Sequence, residues 1–269
     1  MQTITSTNNP KIKYVVQLLK KSAIRKEFKE FVIEGKRELK AALDNHYKIK
    51  ALFVCPDFFH EKELFQLVNK YKIKTEIYKI SKIVYKKMAY RHSTEGIIAI
   101  AEMKDHSIEN IKLSKNPYLL VAESIEKPGN VGAILRSVDG AGADALILVN
   151  PVIDIYNPNV IRASLGMVFA KQIALTDLLG LKKFLQKNNI NLYAASLQNA
   201  NLYFEEDYTQ PTALAVGAED KGLSMPIRKL AEKSIYIPMK GLADSLNVSV
   251  SAAILLYETL RQRMTKKKV

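Results

Sequence analysis

Five long apolar runs in the second half of the chain constrain its fold more than any other feature. They are YLLVAES (118–124), ALILVN (145–150), INLYAAS (190–196), TALAVGAE (212–219) and SIYIPM (234–239). Unbroken apolar runs of this length are typical of parallel strands that are covered on both faces. Because helical patterns are predicted at 131–141, 158–169, 178–188, 225–233 and 248–263, we expect an α/β domain built on a parallel sheet.

The first half of the chain predicts a smaller α/β domain. Asn9 and Pro10 are a typical helix start, and apolar residues follow them at helical spacing. The patterns that follow predict strands at 31–34, 51–55, 75–80 and 96–101, and helices at 35–45, 61–70 and 81–88. A polar stretch with a proline interrupts the pattern. We therefore predict a first domain at 1–103, a linker at 104–116 and a second domain at 117–269.

The charge of the chain predicts a polyanionic partner. The 41 Lys and Arg residues exceed the 27 Asp and Glu residues by 14. Residues 1–116 hold 24 basic and 13 acidic residues, so most of the excess lies in the first half. Phosphate backbones attract such surfaces, whereas membrane binding would require a basic amphipathic helix with bulky apolar anchors. We therefore expect nucleic acid and not a membrane.

The sequence also predicts a cytoplasmic protein. The apolar runs fall short of the roughly 20 residues of a membrane helix, and the N-terminus lacks the apolar core of a signal peptide. Cys55 is the single cysteine, so the chain cannot form an internal disulfide. The sequence contains no cluster of His and Cys residues that would suggest a zinc site.

Glycine-containing polar loops follow three of the predicted parallel strands. They are IEKPGNVGAILRS (125–137), DKGLS (220–224) and KGLADSLNVSVS (240–251). Ligands of open parallel sheets bind at the carboxyl ends of the strands, where these loops would meet. We therefore predict the functional site at this edge of the second domain.

Several other chemistries lack support in the sequence. The segment GAGADA (140–145) loosely matches a dinucleotide fingerprint, but it ends a predicted helix and enters a strand, so we interpret it as a helix C-cap. No P-loop occurs, which argues against nucleotide hydrolysis. The four histidines are scattered and form neither a metalloprotease motif nor a catalytic triad.

Four motifs in the second half resemble those of the SpoU/TrmH family of SPOUT-class RNA ribose 2'-O-methyltransferases. They are NVGAILRS (130–137), NPNVIRASLG (157–166), AVGAEDKGLS (215–224) and IPMKGLADSLNVSVSAA (237–253). Their order and spacing make the resemblance specific. The segments TSTNNPKIKYVVQLLK (5–20), FVIEGKRELKAAL (31–43) and EGIIAIA (95–101) are similar to the RNA substrate-binding domain that often precedes this catalytic domain.

The resemblance implies a fold that the periodicity alone does not suggest. It implies a parallel-sheet domain with a deep trefoil knot, S-adenosylmethionine bound in the knotted loops, and a homodimer formed through the same region. General topology rules would have excluded a knot. The first domain would resemble a small ribosomal-protein-like RNA-binding fold.

The resemblance also implies five catalytic residues: Asn130, Arg136, Glu219, Ser245 and Asn247. A guanidinium is almost always protonated, so we assign Arg136 to stabilising the developing alkoxide and leave proton acceptance as the alternative. Asn130 would fix the loop near Arg136 or the ribose, and Glu219 would hold Arg136 or the cofactor edge. Ser245 and Asn247 would position the ribose or Arg136, and they also suit a helix N-cap.

S-adenosylmethionine would be held largely by backbone groups in an apolar slot. The positions implied by the resemblance are Gly217, Ile237, Met239 and Leu246, with Leu197 as a weaker choice. A sulfonium methyl donor requires no Lewis acid, so we predict no metal.

RNA contacts are predicted at Lys11, Lys13, Arg25, Lys26 and Arg162. The expected reaction is methylation of a ribose 2'-hydroxyl in structured RNA, most strongly 23S rRNA with guanosine favoured, since the chain has a dedicated N-terminal domain. A tRNA 2'-O-methyltransferase is the alternative of the same class. A catalytically silent RNA-binding or ribosome-assembly protein is the alternative of a different class, and the presence of all five catalytic residues argues against it.

Overall fold

The structure is a computed structural model that describes residues 1–90 and 95–266. The chain divides into two compact units. Unit 1 comprises Met1–Asp105 and Asp154–Ala170, and unit 2 comprises His106–Ile153 and Lys171–Val269. Unit 1 thus contains a short segment from the second half of the chain.

The helices and strands alternate along most of the chain. As far as residue 123 they are β1 (Gln2–Ile4), α1 (Pro10–Lys20), α2 (Ser22–Phe28), β2 (Glu30–Glu34), α3 (Lys36–Asp44), β3 (Ile49–Val54), α4 (Glu61–Tyr71), β4 (Glu76–Ile80), α5 (Lys82–Met88), β5 (Ile97–Glu102) and β6 (Tyr118–Glu123). The remainder are α6 (Pro128–Gly140), β7 (Ala145–Val149), α7 (Pro158–Ala163), α8 (Met167–Ala170), β8 (Gln172–Thr176), α9 (Leu178–Lys187), β9 (Asn191–Ala195), β10 (Ala200–Leu202), β11 (Thr212–Val216), α10 (Met225–Leu230), β12 (Lys233–Tyr236) and α11 (Val248–Lys266).

Unit 1 is built on a mixed five-stranded sheet in the order β1-β4-β3-β5-β2. Strands β1, β4 and β3 are parallel, and β5 runs antiparallel to both of its neighbours. Helix α1 begins as its sequence predicts, because the Asn9 side chain accepts a hydrogen bond from the Lys11 N–H and Pro10 occupies the first turn. Its apolar residues Ile12, Val15 and Leu18 are buried against the sheet.

An aromatic cluster anchors the segment Asp154–Ala170 within unit 1. Phe31 of β2 stacks on Tyr156 with ring centroids 4.1 Å apart and on Phe169 at 5.8 Å. The Tyr47 ring meets Phe169 edge-on at 5.1 Å. All four rings are at most 6% exposed, so their packing fixes α7 and α8 on unit 1.

Unit 2 is built on a seven-stranded, fully parallel sheet in the order β10-β12-β9-β11-β6-β7-β8. Residues of its central strands, such as Leu119, Val121, Ile147 and Ala215, are buried in one apolar cluster. The predicted parallel sheet is therefore confirmed, and its strands are buried as their unbroken apolar runs indicate.

The predicted helix over 158–169 is interrupted. Leu165 and Gly166 have φ values of 55° and 86°, which end α7 before α8 begins. A Cβ on Gly166 would lie 2.9 Å from the Ala41 Cβ, so a glycine suits both the backbone and the close packing on α3. The helix C-cap interpretation of 140–145 is confirmed, since α6 ends at Gly140 and Gly142 has a φ of 70°.

Four elements have no counterpart in the sequence predictions: β1, α2, β8 and β10. The two outer strands β1 and β10 have three residues each, too few for a clear period of two. Among the described residues, the helices are all too short or too polar to span a lipid bilayer.

Candidate active site

The site lies where the carboxyl ends of neighbouring parallel strands meet. Strands β9, β11 and β6 are adjacent in the sheet of unit 2, and β12 adjoins β9. The loops after β6, β11 and β12 are the three polar loops of the sequence. Their convergence at one edge is the arrangement in which open parallel sheets bind ligands.

Four side chains from these loops form a hydrogen-bonded group, which we call the polar cluster: Lys127, Asn130, Glu219 and Asn247. The Asn247 Nδ2 donates to the Glu219 Oε1 at 3.1 Å and to the Asn130 Oδ1 at 3.2 Å. The Asn130 Nδ2 also donates to the Glu219 Oε1, and the Lys127 Nζ pairs with the Glu219 Oε2. Glu219 thus joins the loops after β6, β11 and β12.

Asn247 has two roles at the same time. Its Oδ1 accepts hydrogen bonds from the Ser249 N–H at 2.9 Å and from the Ser249 hydroxyl at 2.7 Å, which caps the start of α11. Its amide nitrogen remains directed at Glu219 and Asn130. The helix therefore fixes the orientation of the amide in the polar cluster.

We expect the polar cluster to keep its ionic form in mildly acidic solution. Hydrogen bonds from Lys127 and Asn130 hold the pKa of Glu219 below its ordinary value of 4.5. A carboxyl with a lowered pKa stabilises the folded loops above its ordinary pKa, and this contribution is lost as the pH falls through the lowered value. The NMR signals of the Asn130 and Asn247 side-chain amides should therefore stay constant from neutral pH down to about pH 5. A titration of these signals near neutral pH would contradict the assignment, and E219Q should abolish the acidic transition.

An apolar cleft lies at the ends of β9 and β12. Its walls include Leu197, Ile237, Met239 and Leu246, four of the five predicted cofactor contacts. Ser196, Asp244, Ser245 and Ser251 add polar groups to its lining. Leu197 is 70% exposed because the cleft that it lines is open to solvent. Apolar walls with a few polar groups are typical of small-molecule binding sites.

Gly217, the fifth predicted cofactor contact, meets a steric requirement. A Cβ at this position would collide with the backbone of Gly222 and Leu223. The Gly222 N–H donates to the Ala218 carbonyl at 2.8 Å, so the loop after β11 folds back on itself directly beside Gly217. Glycine is therefore required for the tight loop that carries Glu219.

The structure does not bring Arg136 or Ser245 into the polar cluster. Arg136 is exposed on α6, and within the described residues no hydrogen bond or ion pair holds its guanidinium. It lies six residues beyond Asn130, about 9 Å further along the helix. The expectation that Glu219 holds Arg136 is therefore corrected, because Lys127 in the loop before α6 takes that place. Ser245 lines the apolar cleft.

Sequence reasoning missed two residues that build the site. Lys127 pairs with Glu219, and this hydrogen bond raises the pKa of the lysine. Glu123, at the end of β6, is 6% exposed, and its carboxylate accepts a hydrogen bond from the Ser224 N–H at 2.7 Å. In the sequence, Glu123 is distinguished as the acidic residue that ends an otherwise apolar strand. Lys127 is distinguished as the basic residue directly before Pro128.

The predicted RNA contacts lie in unit 1 and differ in exposure. Lys13 and Lys26 are exposed. Lys11 is half exposed, and its Nζ lies 3.4 Å from the Glu76 Oε2. Arg162 is exposed on α7. The expectation for Arg25 is corrected. This residue is 2% exposed and its Nε lies 2.6 Å from the Asp154 Oδ2, so its charge is not presented to a phosphate.

Family comparisons decide the class of this site. The SpoU rRNA Methylase family matches residues 117–257, which hold the polar cluster and the apolar cleft. The chain belongs to the SpoU rRNA methylase family. An MRM3-like substrate binding domain matches residues 9–99. The resemblance found in the motifs is thereby confirmed for both halves of the chain.

Whole-chain relatives of this SpoU family member agree with the assignment. A crystal structure of an RNA 2'-O ribose methyltransferase has 39% identity and a TM-score of 0.83, covering 98% of this chain and 100% of that one. An AdoMet-bound rRNA methyltransferase from Sinorhizobium meliloti has 27% identity and a TM-score of 0.89, covering 97% of both chains. The 23S rRNA (guanosine(2553)-2'-O)-methyltransferase RlmP of Bacillus subtilis is 27% identical over 96% of this chain and 98% of its own length.

Proposed function

We propose that this protein transfers a methyl group from S-adenosylmethionine to a ribose 2'-hydroxyl of 23S rRNA, with guanosine favoured. The observation that carries the proposal is the family match over residues 117–257, whose motif residues meet at one edge of the parallel sheet. RlmP, which resembles the chain over nearly its full length, is named for this reaction on guanosine. The substrate-binding domain matched at 9–99 also favours a large structured RNA.

The apolar cleft fits the cofactor. Leu197, Ile237, Met239 and Leu246 offer apolar surface for the adenine, and Ser245 and Asp244 offer polar groups for the sugar and the amino acid part. When bound, S-adenosylmethionine supplies a methyl group on a positively charged sulfur. Among the described residues there is no cluster of side chains suited to a metal ion, and methyl transfer from a sulfonium does not call for one.

The chain's own residues orient the acceptor and stabilise its charge. Removal of the proton from a ribose hydroxyl leaves negative charge on oxygen, and a guanidinium that bound RNA holds in place and shields from water stabilises this charge strongly. Arg136 is exposed and unpaired within the described part of the chain, so its fork is available for the ribose oxygen or the adjacent phosphate. The polar cluster positions the loops on which the acceptor would rest.

We also propose that the chain has a substrate-binding domain at 1–103, a linker at 104–116 and a knotted methyltransferase domain at 117–269. The family models support this division, since they match 9–99 and 117–257 and leave the linker unmatched. The compact units differ from it in two places, because residues 106–116 belong to unit 2 and Asp154–Ala170 to unit 1. The trefoil knot follows from the family resemblance. We place the protein in the cytoplasm, which a single unpaired cysteine favours.

A homodimer through unit 2 is part of the proposal. On α11, Val250, Tyr257 and Met264 are 45%, 50% and 59% exposed, and they recur at intervals of seven residues. Residues at this spacing lie on one side of a helix, so their exposed parts form an apolar stripe along α11, although the Tyr257 hydroxyl also lies against Gly140 of α6. A second copy of the chain would bury this stripe.

Introducing a charge into this stripe should disrupt the dimer. We expect Y257D to weaken self-association by about 100-fold or more, as for the loss of a central aromatic contact. Sedimentation velocity over a range of protein concentrations would measure the change. L179D, which alters a 58% exposed leucine on α9, is the matched control and should leave the association intact. Equal association of Y257D and wild type would exclude this face as the interface.

The reaction itself is tested by mapping ribose methylation in RNA. Mass spectrometry of rRNA and tRNA from cells with and without the gene should reveal one 23S rRNA ribose methyl group that depends on the gene. Purified protein with S-adenosylmethionine should restore this group on the unmodified rRNA. A missing methyl group in tRNA alone would support the tRNA alternative, and full methylation of both RNAs without the gene would support a silent RNA-binding protein.

A further inference from the structure

The two faces of the sheet in unit 1 are covered by different helix layers. Buried residues of α1 and α5, including Ile12 and Val84, pack with Val32 and Phe53 of the sheet. The neighbouring β2 residue Phe31 faces the aromatic cluster on the opposite side, as expected from strand alternation. Helices α3 and α4 lie together, joined by the Lys36–Glu63 ion pair at 2.6 Å and by the hydrogen bond from Tyr71 to Asp44 at 2.7 Å.

One of these layers is strongly basic, and we call residues 10–29 and 82–88 the basic layer. It carries nine exposed lysines and a single acidic residue, Glu27. The lysines are Lys11, Lys13, Lys20, Lys21, Lys26, Lys29, Lys82, Lys86 and Lys87. The layer formed by α3 and α4 is nearly neutral, with five basic and four acidic residues.

The lysines of the basic layer are mostly free of acidic partners. Lys11 pairs with Glu76 at 3.4 Å, but across the described ranges no ion pair involves Lys13, Lys20, Lys86 or Lys87. In the other layer, Lys36 and Arg37 pair with Glu63 and Glu38, both at 2.6 Å. The excess positive charge of unit 1 is therefore concentrated on one side of its sheet, where it creates a positive field.

We propose that the basic layer binds the sugar-phosphate backbone of RNA, and that Lys82, Lys86 and Lys87 of α5 are principal contacts. The inference rests on the proposed function, since it assigns the surface by which the same RNA substrate is held. Exposed lysines on adjacent helices neutralise phosphates and release counterions, without reading sequence. The predicted contacts Lys11, Lys13 and Lys26 belong to the same surface, and α5 extends it.

A membrane surface fits these observations less well than RNA. Basic helices that bind lipid insert a broad apolar face between the headgroups. In α1 the apolar residues Ile12, Val15 and Leu18 are buried against the sheet, and in α5 Val84, Tyr85 and Met88 are buried likewise. Only scattered apolar groups, such as Ile83, are exposed beside the lysines.

A comparison of two triple variants of the full-length protein tests the proposal. The variant K82Q/K86Q/K87Q removes three charges from the basic layer, and the control K40Q/K62Q/K70Q removes three exposed charges from α3 and α4. Binding to a fluorescent RNA hairpin is measured at about 50 and 200 mM salt. The α5 variant should bind about 10-fold or more weakly at the lower salt, and the magnitude of its logarithmic salt slope should fall by about 2. The control should change both quantities much less.

The outcomes separate this inference from the proposed reaction. Equal losses in the two variants would show that only net charge matters and would overturn the inference, even if the wild-type protein methylates rRNA. Preferential loss in the α5 variant would support the surface, even if the mapping experiment finds no methylated rRNA. Binding of the wild type to anionic phosphatidylserine vesicles as tightly as to the hairpin, lost in the α5 variant, would overturn RNA as the partner.

Discussion

Replacing Arg136 with alanine is expected to lower the single-turnover rate of methyl transfer by about 100-fold or more. A loss of this size equals about 3 kcal/mol of transition-state stabilisation, the scale found when one donor to a developing oxyanion is removed. S-adenosylmethionine affinity should change little, because the residues that line the apolar cleft do not include Arg136. Rates at saturating RNA and calorimetric binding of the cofactor would measure the two effects separately.

Two further variants sharpen this prediction. R136K should also be strongly impaired, since an ammonium group cannot reproduce the planar fork of a guanidinium. K182A, which removes an exposed charge from α9, is the control for lost positive charge and should transfer methyl groups at the normal rate. A near-normal rate for R136A on saturating RNA would exclude Arg136 from the chemical step.

Strand burial made the architecture of unit 2 predictable from the sequence. The unbroken runs at 118–124, 145–150 and 212–219 correspond to buried strands β6, β7 and β11. Local patterns could not give the strand order, because it depends on contacts between segments far apart in the chain. The return of Asp154–Ala170 to unit 1 depends likewise on the packing of Tyr156 and Phe169 against Phe31, and no change in composition marks it.

The site was only partly predictable for a similar reason. Motif positions identified Asn130, Glu219 and Asn247, which the structure joins by hydrogen bonds. The partner of Glu219 was not predictable, since Lys127 and Arg136 are both basic residues that follow β6 in the sequence, and only the helix geometry places Lys127 beside Glu219. The burial of Arg25 was missed because its surroundings in the sequence, rich in lysine, suggest an exposed face.

Removing the carboxylate of Asp154 is expected to destabilise the folded protein far more than breaking an exposed ion pair does. Its partner Arg25 has a side chain that is 3% exposed, and the guanidinium also donates to the Leu18 carbonyl at 2.5 Å. D154A would leave this buried charge without a counterion, which costs about 3–5 kcal/mol. Urea unfolding followed by circular dichroism should show the midpoint falling accordingly. E63A, which breaks the exposed pair with Lys36, should cost no more than about 1 kcal/mol.

A double variant distinguishes the lost charge pair from lost packing. R25M/D154L removes both charges and fills much of the same space, so it should recover most of the stability that D154A loses. D154N should fall between D154A and wild type, since the two oxygens of Asp154 bind Arg25 at 2.6 Å and the Tyr156 N–H at 2.9 Å separately, and the single oxygen of an amide can keep only one of these bonds. If D154A were no less stable than E63A, the Arg25 guanidinium would have to reach water in solution. That result would also return Arg25 to the residues available for RNA.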